Sequence, residues 1–229
     1  MFSPTTILGL VVFAPAIIVL YFPLGKYERY FKANKALFMI LVGLAVGMGV
    51  GFFSMFFFLG NIVLALLLIA LLEIIKFLAM MQRPFRMKYD APFYGFAFGA
   101  GISVMMVFTF IYGFQLFALD PVNLVLILLL SYNYTFVQAS TGGIIGYGSK
   151  KGDFWRYLIR AFLISGLHVS MITFFWEGRF SLVVDFIILV IGAIYGTFLV
   201  FYVYSEIFPE VVSDKLQELE KEKDDTNST

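Results

Sequence analysis

Asn61-Ile-Val-Leu-Ala-Leu-Leu-Leu-Ile-Ala-Leu-Leu-Glu73-Ile-Ile-Lys76-Phe-Leu-Ala-Met-Met81 decides how the chain is read. A helix that crosses a bilayer needs roughly 20 consecutive apolar residues. This stretch supplies them, with Glu73 and Lys76 its only charges. Charge at bilayer depth is costly and marks function or a tight partner. One segment thus names both the solvent, which is lipid, and the first residues to ask about.

Working outward, the whole chain has the same character. Of 229 residues, 61% are hydrophobic and 14% are charged. Soluble domains carry about 25% charged residues. No water-soluble fold of this size hides so much apolar surface. The formal net charge of +1 leaves no broad basic face, so no nucleic-acid partner is expected. Cysteine is absent, which excludes disulfides, thiolate metal sites and a cysteine nucleophile. Met1 to Thr6 lacks a basic n-region, and the first apolar run reads as a retained helix.

Seven stretches meet the length criterion: Thr5–Phe22, Ala36–Leu59, Asn61–Met81, Phe93–Phe117, Val122–Tyr147, Leu158–Trp176 and Phe180–Tyr204. Only Gly60 and Asn61 divide the second from the third. The basic residues fall in alternate loops. Lys26, Arg29, Lys32 and Lys35 follow span 1; Arg83, Arg86 and Lys88 follow span 3; Lys150, Lys151 and Arg156 follow span 5. The other loops hold Arg179 beside Asp120 and Glu177. The positive-inside rule then predicts an all-α bundle over residues 1–204, with the N-terminus outside and the C-terminus in the cytoplasm. The expected location is the cell membrane, crossed many times. Residues 205–229 form an acidic cytoplasmic tail, expected to be a short helix that frays into disorder.

Small residues recur at helical spacing. Gly43, Gly47 and Gly51 line span 2; Gly95 and Gly99, Gly142 and Gly146, and Gly192 and Gly196 mark spans 4, 5 and 7. Such ridges let helices approach closely. Packing within the bundle is the expected use. Homo-oligomerisation through the span 2 ridge is the alternative.

Four ionisable residues stand out at depth within the spans: Glu73, Lys76, His168 and Asp185. Counted from the nearest basic loop at 1.5 Å per residue, Glu73 lies roughly 15 Å deep, His168 roughly 16 Å and Gln138 roughly 18 Å. All three approach the midplane from the same side. Span 5 adds Ser131, Asn133, Thr135, Ser140 and Thr141. A polar chamber between spans 3, 5 and 6, with Glu73 and His168 facing each other across it, would accommodate them. The plain alternative is a Glu73–Lys76 pair and a His168 bonded to a neighbouring helix. Asp185, near the outer end of span 7, is expected to face a wet crevice or Arg179. Asn133, Gln138 and Asp185 are the candidate binding residues.

Leu71-Leu72-Glu73-Ile74-Ile75-Lys76, Tyr94-Gly-Phe-Ala-Phe-Gly-Ala-Gly101, Gly142-Gly-Ile-Ile-Gly-Tyr147-Gly and His168 together resemble the PrsW family of intramembrane metalloproteases, relatives of the CAAX prenyl proteases. The resemblance covers roughly residues 65–175. It implies catalytic roles for Glu73, Lys76 and His168 and a zinc site. The family's pattern is broken at Leu72, Met106, Gln138 and Ile172, where it carries Glu, Glu, His and often an acid. Glu73 and His168 are then the most that could hold a metal. A hydrolytic zinc site wants about three protein ligands and a base. The leading expectation is therefore a pseudo-protease that binds lipid or a transmembrane segment of another protein. An altered hydrolase using Glu73 and His168 as an acid–base pair is a second reading. A small proton or cation transporter through Glu73, His168 and Asp185 is a third.

Overall fold

A computed structural model describes residues 4–57, 61–114, 120–176 and 182–227. These form eight α-helices: α1 (Pro4–Val19), α2 (Ala33–Phe57), α3 (Ile62–Met80), α4 (Ala91–Phe114), α5 (Pro121–Lys151), α6 (Phe154–Trp176), α7 (Leu182–Tyr202) and α8 (Phe208–Asn227). Short π-helical turns, Leu20–Leu24 and Val203–Ile207, extend α1 and link α7 to α8. No strand occurs among the described residues.

Local chemistry sets the ends. Asn61 caps α3, its side chain accepting from the amides of Val63 and Leu64 at 2.9 and 3.3 Å. Asp120 does the same for α5, with Pro121 in the first turn where a missing N–H costs nothing. α5 runs on to Lys151 and stops at Gly152, whose φ of 73° is a left-handed conformation that glycine adopts freely. It is thus longer at both ends than the 122–147 expected from hydropathy.

Six helical stretches among the described residues are long and apolar enough to cross a membrane: Thr5–Leu24, Ala33–Ser54, Ile62–Met80, Ala91–Tyr112, Pro121–Lys151 and Leu182–Gln217. α6, the expected sixth of seven spans, is not among them although it is 23 residues long. Arg156 and Arg160 fall in its first two turns, and Ser165, His168 and Ser170 follow. Its outer stripe is nevertheless apolar, with Trp155, Ile159, Leu163 and Leu167 exposed. Other outward helix faces show Ile17, Leu41, Leu67, Ile194 and Phe198, the surface expected where lipid is the solvent.

α4 and α5 form the centre. α2 and α5 pack on α4, while α1, α6 and α7 pack on α5 and α3 lies on α6. In the apolar window of α4, 83% of residues are buried, against 33% in that of α3. The glycines make this centre. A Cβ on Gly43 or Gly47 would strike the carbonyls of Phe98 or Ile102 in α4. A Cβ on Gly99 would strike the Gln138 carbonyl, and one on Gly142 the Gly95 carbonyl. The ridges expected for packing thus face helices of this same chain.

The basic loops gather at one end of the bundle. Tyr27 donates to the Tyr204 carbonyl at 3.3 Å, and the Lys32 amide donates to the Tyr94 hydroxyl at 3.0 Å. α8 starts inside this cluster. Phe208 and Val211 are fully buried, and the Phe208 ring lies 4.5 Å from that of Phe93. Outside, Lys150 pairs with Asp214, and Lys151 with Glu210 at 2.6 Å. The first turns of the acidic tail are therefore part of the bundle, and the helix continues to Asn227.

Candidate functional site: a buried ammonium–carboxylate network

Three helices each contribute two polar residues spaced three apart, which places each pair on one helix face. α3 supplies Glu73 and Lys76, α5 supplies Gln138 and Thr141, and α6 supplies Ser165 and His168. All six are completely buried. The Lys76 ammonium donates to Glu73 Oε1 at 2.8 Å, to Thr141 Oγ1 at 2.7 Å and to Gln138 Oε1. An ammonium has three protons, so each has an acceptor. Ser165 donates to the same Glu73 Oε1 at 2.6 Å. Thr141 Oγ1 lies 3.4 Å from that oxygen and 3.3 Å from the Gln138 carbonyl.

This arrangement meets the cost of burying charge in the way such pairs require. Both ions are hydrogen-bonded as well as paired, and their partners come from three helices. What remains open is specific. Glu73 Oε2, Gln138 Nε2 and both ring nitrogens of His168 have no hydrogen-bond partner. The imidazole instead meets the Tyr134 ring edge-on, 5.1 Å between centroids. A cavity of about 20 Å³ lies beside Tyr134 and Val169, with Leu68, Ile69 and Met106 among its walls. That is room for about one water, in apolar surroundings.

The chamber expected between spans 3, 5 and 6 is thus a filled contact. Glu73, Lys76 and Gln138 meet in it, and Ser165 ties Glu73 to the face that carries His168. No hydrogen bond joins His168 to the carboxylate. Asn133 lies elsewhere, donating to the carbonyls of Leu129 and Leu189 at 2.7 and 2.9 Å and so clamping α5 to α7. Asp185 sits in the first turn of α7 with Oδ1 buried and unpartnered. Arg179, its expected counter-ion, lies outside the described residues. The remaining polar residues of α5 point to different neighbours: Ser131 donates to the Val12 carbonyl of α1, and Thr135 accepts from Ser103 of α4. Ser165 is the residue that sequence reasoning missed. Its signal was its place one helical turn before His168.

The donor set does not fit a hydrolytic zinc ion. Among the described residues no three of His, Cys, Asp and Glu come together. The one carboxylate in the network already neutralises an ammonium. Met106, where the resembling family has an acid, lines the apolar cavity. No family model, curated protein or solved structure matches this chain. The PrsW-like resemblance therefore rests on the quoted motifs alone.

Proposed function

We propose that this chain is a PrsW-like membrane protein without hydrolytic chemistry, and that it acts by binding phospholipid. In this reading it has seven spans in the cell membrane, α6 being the sixth, with the N-terminus outside and the basic end and α8 in the cytoplasm. The observation that carries the reading is the Lys76 ammonium. Its three hydrogen bonds engage Glu73 Oε1, Gln138 Oε1 and Thr141 Oγ1. An ammonium has no lone pair and so is not a nucleophile, and a carboxylate that neutralises one is a weaker metal ligand.

Support for lipid binding comes from the flank of the same helices. A groove of about 430 Å³ between α5, α6 and α7 is walled by Ile144, Leu163, Ile164 and Tyr202, with Tyr157 and Arg160 also lining it. An apolar slot with one guanidinium suits an acyl chain below a phosphate. Arg160 is near the basic end, where the headgroups of the cytoplasmic leaflet would lie.

The test is direct. Protein purified in mild detergent is assayed for bound zinc, for cleavage of membrane-spanning peptides and for retained phospholipid by native mass spectrometry. Expected are substoichiometric zinc, no cleavage and retained lipid that falls in Arg160→Gln. Stoichiometric zinc with cleavage that depends on Glu73 would overturn the reading.

A further inference from the structure

At the basic end, away from the Glu73 network and the Arg160 groove, the N-termini of α2 and α4, the C-terminus of α5 and the flank of α8 border an open recess of about 510 Å³. Five lysines line it, among them Lys32, Lys35 and Lys88. Lys150 and Lys215 are engaged, with Asp214 and the Tyr89 hydroxyl. Lys32, Lys35 and Lys88 have no ion pair among the described residues. Such a ring alone would suit any anion. The recess also contains its opposite. Asp90 is only 5% exposed. One of its oxygens accepts from the Tyr94 hydroxyl at 2.8 Å, and the other, Oδ1, is buried with no partner.

Those two features ask for different halves of one ligand. A buried carboxylate oxygen without a donor leaves its desolvation uncompensated. A bare phosphate or sulfate would satisfy the lysines and leave that oxygen facing another negative charge. A simple cation would satisfy Asp90 and be repelled by the lysines. A phosphate ester bearing a primary ammonium a few bonds away answers both. We propose that this recess binds a phosphoethanolamine group, its phosphate on Lys32, Lys35 and Lys88 and its ammonium donating to Asp90 Oδ1. The exposed Leu37, Phe38 and Leu41 of α2 follow directly from the recess and offer a track for acyl chains, so the source is a phospholipid. The lipid source rests on the membrane-spanning reading above. The ammonium preference does not, and its failure would leave the Arg160 groove and the Lys76 network untouched.

Phosphatidylcholine is the discriminating control. It has the same net charge and the same phosphate, but its quaternary ammonium has no N–H to donate. Equilibrium binding to the full chain in detergent is measured for dihexanoyl phosphatidylethanolamine, dihexanoyl phosphatidylcholine and free phosphoethanolamine. The ethanolamine lipid is expected to bind about tenfold more tightly than the choline lipid, the scale of one charge-assisted hydrogen bond. In Asp90→Asn, which keeps an acceptor for Tyr94, that ratio falls to about one while choline-lipid binding persists. In Lys35→Gln/Lys88→Gln both lipids weaken together, a readout that does not depend on Asp90 tolerating change. Equal binding of the two lipids by the natural chain would overturn the proposal, as would a preference that survives in Asp90→Asn. Free phosphoethanolamine binding as tightly as the lipid would overturn the lipid source.

Discussion

Where α4 meets α5, Gly95, Gly99, Gly142 and Gly146 bring two backbones together with almost nothing between them. Where α3 meets α5 and α6, the contact runs through an ammonium, a carboxylate, an amide and two hydroxyls. In water both seams could lean on the hydrophobic effect. Between helices in lipid that force is largely absent, because acyl chains are as apolar as leucine. What remains is van der Waals contact at short range or hydrogen bonding across the gap, and this bundle uses one at its centre and the other at its flank. The central seam is specified by having no side chains, so anything added there must be destructive. The flank is specified by matched charges, so losing one partner must hurt more than losing both.

The central seam gives one of the two largest expected effects. Gly99→Ala forces α4 and α5 apart, because the new methyl group meets the backbone carbonyl of Gln138 rather than a side chain that can turn away. A loss of about 3 kcal/mol or more is expected, at or beyond the upper end for overpacking. The same change at Gly49, which has open space around it, should shift stability by no more than about 1 kcal/mol, toward greater stability. Unfolding in mixed micelles reads both. Equal shifts would show that close approach does not hold the centre.

At the flank, Lys76→Met strands Glu73 as an uncompensated buried carboxylate. The expected cost is about 3–5 kcal/mol. The double change Glu73→Gln/Lys76→Met removes both charges and should recover most of that loss, since a buried pair is weak evidence for net stability. Should the double variant be as unstable as the single one, the network would be acting through shape rather than charge.

Asn133 offers an intermediate case, one side chain bridging α5 and α7. Asn133→Ala should cost about 0.6 kcal/mol, the average for an interhelical hydrogen bond in a membrane. The value stays small because its carbonyl oxygen has no partner to lose. A cost as large as that of Lys76→Met would mean that neutral and charged contacts are equivalent in this bundle.

Much of this was legible in the sequence, and the parts that were not have physical causes. Glu73 and Lys76 announced a shared helix face by their spacing, and Gln138 announced its depth. Glycine spacing pointed to close packing without saying which helix each ridge would meet. Hydropathy put α5 four residues short at its basic end, because Gly148, Ser149, Lys150 and Lys151 read as loop although glycine and serine pack there in full burial. Ser165 went unnoticed because a lone serine in an apolar run carries no signal until its partner is known. The direction of each α5 hydroxyl, toward α1, α3 or α4, depends on helix rotation, which a single buried helix with polar groups all round does not encode. Asp90 was invisible as a site residue for a related reason: it sat among loop charges, where burial is not expected.

The acidic tail tests the contrast from the side of water. α8 is held by two forces that the spans lack or use differently: burial of Phe208 and Val211, and ion pairs of Lys150 and Lys151 with Asp214 and Glu210, whose carboxylates remain open to solvent. Exposed pairs contribute between about 0 and 1 kcal/mol and are screened by salt. Lys151→Gln should therefore change overall stability by less than about 1 kcal/mol, the smallest effect of the set. Its consequence should be local. Amide hydrogen exchange over residues 208–217 should quicken modestly, and raising the salt concentration should quicken the natural chain to match the variant. The Glu73–Lys76 pair, sealed from ions, should show no such salt dependence. If salt loosens the flank of α3 as readily as it loosens α8, the network is wet, and the division between sealed and solvated ion pairs on which the comparison stands is lost.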